Sequence, residues 1–456
     1  MKPLILLFAL AAAAFAQEKT IDLTNPPNYA NQPVPTYITK DNTPVDNAIT
    51  DLGATLGRVL FYDKRLSINN TISCSSCHAQ ENAFSDLSTA STGVAGTTGR
   101  HSMRLINARF ATEQKFFWDE RAASVEDQAT KPIQDHVEMG FSGTLDDPDF
   151  GDLIVKLSVI EEYQVLFQGV FGDATITEER VGKAIAQFVR SLQSFDSKYD
   201  AGRAVRNDGQ NFPNFTASEN AGKQLFMAPP GQGGGAGCAG CHRPPEFDID
   251  PNSGNNGLVS KIGGGTDFTN TRSPSLRDLV DRNGNPHGGF MHDASLPTLL
   301  SVIDHYNTIP AVVTGLDPRL RQPGPGGAQP QRLNLTAQQK SDLEAFLKTL
   351  TGNAIYTDGK FSTPFNTDDT LALVILPSDS AAMTFSEQDG TPFVTLRATG
   401  VPNVNYVFQT SPDLNNWTST VIAASAAGDL EMTVPMTIPE GETGMFYRFA
   451  YGAPIE

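Results

Sequence analysis

Cysteine, tryptophan and histidine are scarce in this chain: 4, 2 and 7 among 456 residues. Four cysteines are too few for the disulfide lattice of a small secreted scaffold. So few histidines leave little material for metal cages built from scattered side chains. Basic residues are outnumbered, 33 Lys and Arg against 51 Asp and Glu, for a formal charge of −18. That balance argues against nucleic acid as a partner, which needs phosphate-neutralising cations, and suits a basic protein instead. Apolar runs are short. None reaches the roughly 18 residues that suggest a membrane-crossing helix, so no transmembrane segment is expected in the mature chain. The N-terminus nevertheless carries an address: Lys2, an apolar stretch over 4–14 and the small-x-small site Ala14-Phe15-Ala16. This is the layout of a secretory signal peptide, residues 1–16, so the mature protein is expected outside the cytoplasm, in the periplasm.

What the scarce residues do is concentrated. All four cysteines fall in two Cys-x-x-Cys-His units, Cys74-Ser75-Ser76-Cys77-His78 and Cys238-Ala239-Gly240-Cys241-His242. With 7 histidines in 456 residues, one after each pair by chance is roughly a 2-in-10,000 event. The spacing outweighs a disulfide reading, and an imidazole directly beside a Cys-x-x-Cys half-site does not suit a tetrahedral zinc cage. It fits covalent attachment of c-type haem, in which the cysteines form thioethers with the vinyl groups and the adjacent imidazole binds the iron. Two covalent haems are expected, one on Cys74, Cys77 and His78, the other on Cys238, Cys241 and His242.

The remaining pattern supplies their setting. Residues 17–49, rich in Pro, Asn and Thr, read as an extended arm. Over 50–212 and 213–352 the pattern is helical with long loops, one haem motif in each block. Thr177 caps a helix whose apolar stripe is Val181, Ile185, Phe188, Val189 and Leu192. Thr336 and Gln339 form a capping box ahead of Leu343, Phe346, Leu347 and Leu350, and Gly352 suits the position just past that helix. Beyond 362 the period changes to two. Leu430, Met432, Val434, Met436 and Ile438 alternate with polar or small residues, as do Met445, Tyr447, Phe449 and Tyr451; 393–398 and 406–408 read as further strands. The expected fold is mainly α, two cytochrome-c-like domains followed by a small β-sandwich over 362–456 that lacks Cys and His.

Several motifs in order resemble the bacterial dihaem cytochrome c peroxidases, a family that includes the MauG-like enzymes. They are Leu56-Gly57-Arg58-Val59-Leu60-Phe61-Tyr62, Arg65-Leu66-Ser67, both haem units, the run Phe117-Trp118-Asp119-Glu120-Arg121-Ala122-Ala123 and the turn Val137-Glu138-Met139-Gly140. The resemblance spans about 50–352. It implies Glu138 as the catalytic distal acid, Gln128 as the amide beside it and Trp118 as the aromatic residue between the haems. It also implies a further ligand to the second iron beside His242, and Tyr306 takes that place, with Met291 and His305 as alternatives. Leu299, Val302, Ile303 and Tyr306 share one helical face. The resemblance also implies a calcium site between the domains, from which this chain lacks one ligand oxygen. His101 replaces an Asn that helps bind it in the family, and the carbonyl positions fall at His287 and Gly289.

Three functional readings follow from the resemblance. The first is a periplasmic peroxidase that reduces hydrogen peroxide with electrons from a small cytochrome c or copper protein. The second is a MauG-like enzyme that uses peroxide to oxidise a partner protein or organic substrate. The third is a plain electron-transfer protein, against which Glu138 and Gln128 argue. The family leaves room for a homodimer. In many members a distal His from the loop before Arg100 caps the first iron, but residues 91–99 contain none, and His101 is the nearest rival. The first iron is therefore expected to be open in the ferric state. Electron paramagnetic resonance of the oxidised protein should show a high-spin ferric signal, and its absence would count against the open site.

Overall fold

Most helices in this chain announce themselves by a polar residue at the N-terminus. The computed structural model describes residues 19–231, 234–441 and 444–451, so the expected signal peptide lies outside the described residues. Within them the first block holds α1 (Asp51–Tyr62), α2 (Cys74–Cys77), α3 (Val125–Thr130), α4 (Phe150–Ser158), α5 (Glu161–Phe171) and α6 (Glu178–Ser191). Next come α7 (Lys198–Arg203), α8 (Ala217–Met227), α9 (Leu299–Asn307) and α10 (Ala337–Lys348). In nearly every case a Ser, Thr or Asp side chain accepts a first-turn amide that the helix cannot satisfy itself; Thr177 takes that of Arg180 and Thr336 that of Gln339. The last helix ends at Lys348 rather than running to Gly352. The Gly352 amide instead donates to Asp278 (2.8 Å), a tertiary contact. Helix makes up 27% of the structure, so long loops dominate where a mainly α fold was expected.

The two blocks share one construction. In the first, α1 crosses α6 at Gly57, where a β-carbon would lie 2.0 Å from the Ala184 carbonyl oxygen and 2.9 Å from the Phe188 β-carbon. In the second, α8 crosses α10 at Gly222, where a β-carbon would lie 1.8 Å from the Asp342 carbonyl and 2.9 Å from the Phe346 β-carbon. Both glycines open the same local pattern, Gly57-Arg58-Val59-Leu60-Phe61 and Gly222-Lys223-Gln224-Leu225-Phe226. Each pair thus brings backbones together over an aromatic cluster. Phe61 meets Phe188 with centroids 5.2 Å apart, and Phe226 meets Phe346 at 5.3 Å.

Strands are short except at the C-terminus. β1 is Thr20–Asp22; β2 (His242–Arg243) pairs with β3 (Asp248–Ile249), and β4 (Arg321–Gly324) with β5 (Gly327–Pro330). They are followed by β6 (Ala372–Val374), β7 (Ala382–Gln388), β8 (Thr391–Thr399), β9 (Asn405–Ser411), β10 (Thr418–Ala423), β11 (Asp429–Pro435) and β12 (Phe446–Ala450). Two antiparallel sheets, in orders β11-β8-β7 and β10-β9-β12, share buried Leu396, Ala398, Leu430, Tyr406, Phe408 and Phe449. Strand β11 stops at Pro435, short of Met436 and Ile438. Edge strands β7 and β10 carry no clear alternation, because β7 is exposed along its whole length and β10 on most of it.

Packing joins these parts. The sandwich belongs to the same hydrophobic cluster as the first block, and Gly169 of α5 lets Val401 approach. The arm runs across the molecule. Its β1 pairs in parallel with β6, Tyr37 donates to Asp200 (2.9 Å), and Lys40 pairs with Asp248 and Glu246 in the second block. Among the described residues no helix is long and apolar enough to cross a membrane. At the crossings, Gly57→Ala and Gly222→Ala should each overpack a backbone contact and cost about 1–3 kcal/mol. Thermal unfolding of the haem-loaded protein checks this, and an unchanged midpoint in both variants would refute the close-approach role.

Candidate active site

The first Cys-x-x-Cys-His unit folds as a single helical turn. Cys74 and Cys77 bound α2, three residues apart and so on one face. Ser73 and Ser76 close a capping box at its start. His78 follows as the C-cap. Its Nδ1–H donates to the Phe84 carbonyl (3.1 Å), which leaves the Nε2 lone pair for a metal. Ala83 and Phe84 both take left-handed backbone (φ 57° and 55°), a conformation that costs a non-glycine residue and here aims that carbonyl. All three motif side chains line a cavity of about 460 Å3.

Gln128, Glu138 and Trp118 line the same cavity. Gln128 comes from α3, capped by Ser124, and Glu138 from a turn whose amides at 137 and 138 both donate to Asp135. Burial, and secondarily the negative charge of Asp135, push the Glu138 carboxyl up to about 7. Such a group exchanges a proton near neutrality. Its turn is propped from behind by the loop over 91–99. The amides of Val94 and Ala95 donate to the carbonyls of Glu138 (3.1 Å) and Val137 (3.2 Å). This approach needs Gly93, where a β-carbon would sit 2.0 Å from the Val137 oxygen.

The second unit is looser, a 3-10 turn over Cys238–Gly240 with His242 opening β2. Its cavity is larger, about 660 Å3. The Nδ1 of His242 is buried without a partner, and burial pushes the imidazolium down to about 4, so the ring is neutral. Tyr306 and Met291 both line this cavity, while His305 turns its Nε2 to the Asn256 carbonyl (2.9 Å) and does not. The Asn256 amide stands between the two that do, 3.2 Å from the Met291 sulfur and 3.5 Å from the Tyr306 hydroxyl. Burial raises the Tyr306 phenol well above its ordinary range.

One wall divides the cavities, and Trp118 stands on it. Its indole N–H donates to the His101 carbonyl (2.8 Å), and its own carbonyl accepts from Thr271 and Arg272. The His101 ring donates from Nδ1 to Ser88 (2.9 Å), and His287 stacks on Tyr356. Neither side chain brings the oxygen that calcium prefers. All four motif cysteines are unpaired. Among the described residues no group of three His, Cys, Asp or Glu is placed to hold a metal ion. Two thiols and one neutral imidazole at each cavity are instead the donor set of covalent haem.

Residues 52–209 match the family described as di-haem cytochrome c peroxidase. The methylamine utilization protein MauG of Methylophilus methylotrophus is 31% identical over 323 residues, covering 68% of this chain and 86% of that protein. The chain belongs to the dihaem cytochrome c peroxidase family. Membership makes it a haem peroxidase-type oxidoreductase and implies c-type haems. The cytochrome c peroxidase Ccp of Escherichia coli is 33% identical over 188 residues, 41% of this chain and 36% of that one. Among solved structures, a MauG-like protein associated with microbial copper homeostasis superposes with a TM-score of 0.57 at 28% identity. It covers 73% of this chain and 99% of its own. The dihaem peroxidase BthA of Burkholderia thailandensis shares the fold, with a TM-score of 0.51 at 20% identity over 75% of this chain and 97% of that one.

Sequence reasoning missed Gly93, Asn256 and two arginines that line both cavities, Arg104 and Arg272. A close backbone approach and a buried amide leave no spacing signal, so only tertiary contacts reveal them. Gly93→Ala should displace the Glu138 turn. Haem content is expected to stay unchanged while peroxide turnover falls by about 10²-fold, the scale of a 1 Å misplacement. Gly359→Ala, with open space around the added carbon, serves as control. Wild-type turnover in Gly93→Ala would show that the loop does not position Glu138.

Proposed function

We propose that this protein is a periplasmic dihaem peroxidase that reduces hydrogen peroxide to water with electrons from a small cytochrome c or copper protein. The observation that carries the proposal is a carboxyl tuned to about 7, Glu138, in one cavity with Cys74, Cys77, His78 and Gln128. Cys74, Cys77 and His78 would hold one haem, and Cys238, Cys241 and His242 the other. When bound, the first supplies the iron at which peroxide is reduced and the second an electron store.

The protein's own groups manage protons and position. As a carboxylate, Glu138 takes the proton from the entering peroxide oxygen, holds it, and delivers it to the oxygen that leaves as water. Gln128 donates its amide to orient the peroxide. The apolar walls keep bulk water from short-circuiting that transfer. Trp118, touching both cavities, provides the aromatic path between them. In balance, hydrogen peroxide takes up two electrons and two protons and gives two waters.

A second reading is favoured by Tyr306 in the second cavity, where a phenolate ligand would stabilise oxidised states. The same site would then oxidise a partner protein or organic substrate. Steady-state turnover of peroxide with reduced cytochrome c supports the first reading. Peroxide added alone, leaving the protein able to oxidise a later-added donor by two electrons, supports the second.

Because the ionised form of Glu138 accepts the first proton, kcat/KM for peroxide should rise with pH through about 7 and fall below it. Glu138→Gln should abolish that limb and lower turnover by about 10²–10⁴-fold. Near-normal turnover in this variant would sink the assignment.

A further inference from the structure

The wall between the cavities carries two arginines that no carboxylate answers. Arg104 and Arg272 each line both cavities. Arg272 is 7% exposed, lies over the Phe116 ring (4.7 Å), and has a buried Nη1 with no hydrogen-bond partner. Arg104 donates from Nη2 to the Ser275 carbonyl (3.2 Å), while its Nε is likewise buried and unpartnered. Other arginines nearby are paired. Arg100 holds Asp267 and Asp119, and the fully buried Arg277 holds Asp200.

None of the acids around these two forms an ion pair with them. Asp248 is held by Lys40 and the Thr112 amide, Glu113 accepts the Lys115 amide, and Glu120 accepts the Thr271 hydroxyl. Asp278 takes the Gly352 amide and the Tyr356 hydroxyl on Oδ1, while its Oδ2 is buried without a hydrogen-bond partner. Burial lowers both guanidinium groups from their usual range, Arg104 to about 10, which still leaves it charged at neutral pH. A buried cation without a partner is costly, so the chain alone leaves this wall electrostatically incomplete. A guanidinium fork matches a carboxylate better than any other common anion except phosphate.

We propose that Arg104 and Arg272 form one carboxylate-binding pair, shared by the two cavities, that receives the propionate groups of both haems. The proposal rests on the haem reading of the two sites. It makes the wall more than a spacer. Cations shared by two neighbouring cavities tie the electron affinities of both occupants to the same pair of side chains.

The experiment is spectroelectrochemical titration of both ferric/ferrous couples in the haem-loaded protein. Wild type is compared with Arg104→Gln, Arg272→Gln and the control Arg180→Gln, a surface arginine paired with Asp173. Pyridine haemochrome assay on every sample counts covalent haem. Fewer than two per chain in the wild type refutes the haem reading itself, which separates that failure from this one. With two haems present, loss of either cation should lower both midpoint potentials, and the control should not move them. Unchanged potentials overturn the pair, and a shift confined to one couple overturns its shared role. Should a Gln variant fail to load haem, Arg104→Lys and Arg272→Lys keep the charge and lose the fork. The propionate bending band of their resonance Raman spectra should then shift, and an unmoved band overturns the proposal.

Discussion

The contact on which the rest depends is the attachment of Trp118 to both halves of the protein. Its indole N–H is fixed on the His101 carbonyl of the first block. Its carbonyl is fixed by two amides from 271 and 272 in the second. These bonds set the thickness of the wall between the cavities and bring Arg104 and Arg272 onto it. They also bring residues 261, 262 and 267 of the second block to the rim of the first cavity. Neither cavity is therefore completed by its own block. Two of the bonds that hold this wall run from main chain to main chain, and the third from the Trp118 indole to a main-chain carbonyl.

The same economy governs Glu138. A carboxyl raised toward 7 by burial must be kept out of water yet lining the cavity, and nothing in its own turn ensures both. The loop over 91–99 does so from behind, with two backbone hydrogen bonds and one glycine thin enough to let them form. Where relatives are expected to place a histidine in this loop, this chain uses it as a prop. The placing of Glu138 and the lack of a histidine in residues 91–99 thus belong to one structural arrangement.

At larger scale the arm and the sandwich act as ties. Strand β1 is captured by β6, Tyr29 is buried with its hydroxyl on the Lys360 carbonyl, and Arg58 of α1 reaches the carbonyls of Ser362 and Gly359. Segments distant in sequence thereby close over the first block, whose long loops would otherwise be poorly restrained. The cost is high contact order, so these ties should form late, after the local helices.

Residue identity and spacing alone pointed to the atoms that would hold two haems, because a Cys-x-x-Cys-His unit is a local chemical instruction. Helix starts at Thr177 and Thr336 were legible for the same reason, since a cap acts within four residues. Strands β11 and β12 were legible from apolar residues alternating with polar ones, and β8 and β9 from short apolar stretches; β7 and β10, exposed on all or most of their length, were not, because solvent imposes no period on them. Tertiary structure alone decided that Gly57 and Gly222 are twin crossing points and that His305 faces away from the cavity Tyr306 and Met291 share. It also decided that two unpaired cations stand on the Trp118 wall. These depend on which distant backbone comes within a few ångströms, and no window of sequence encodes that distance.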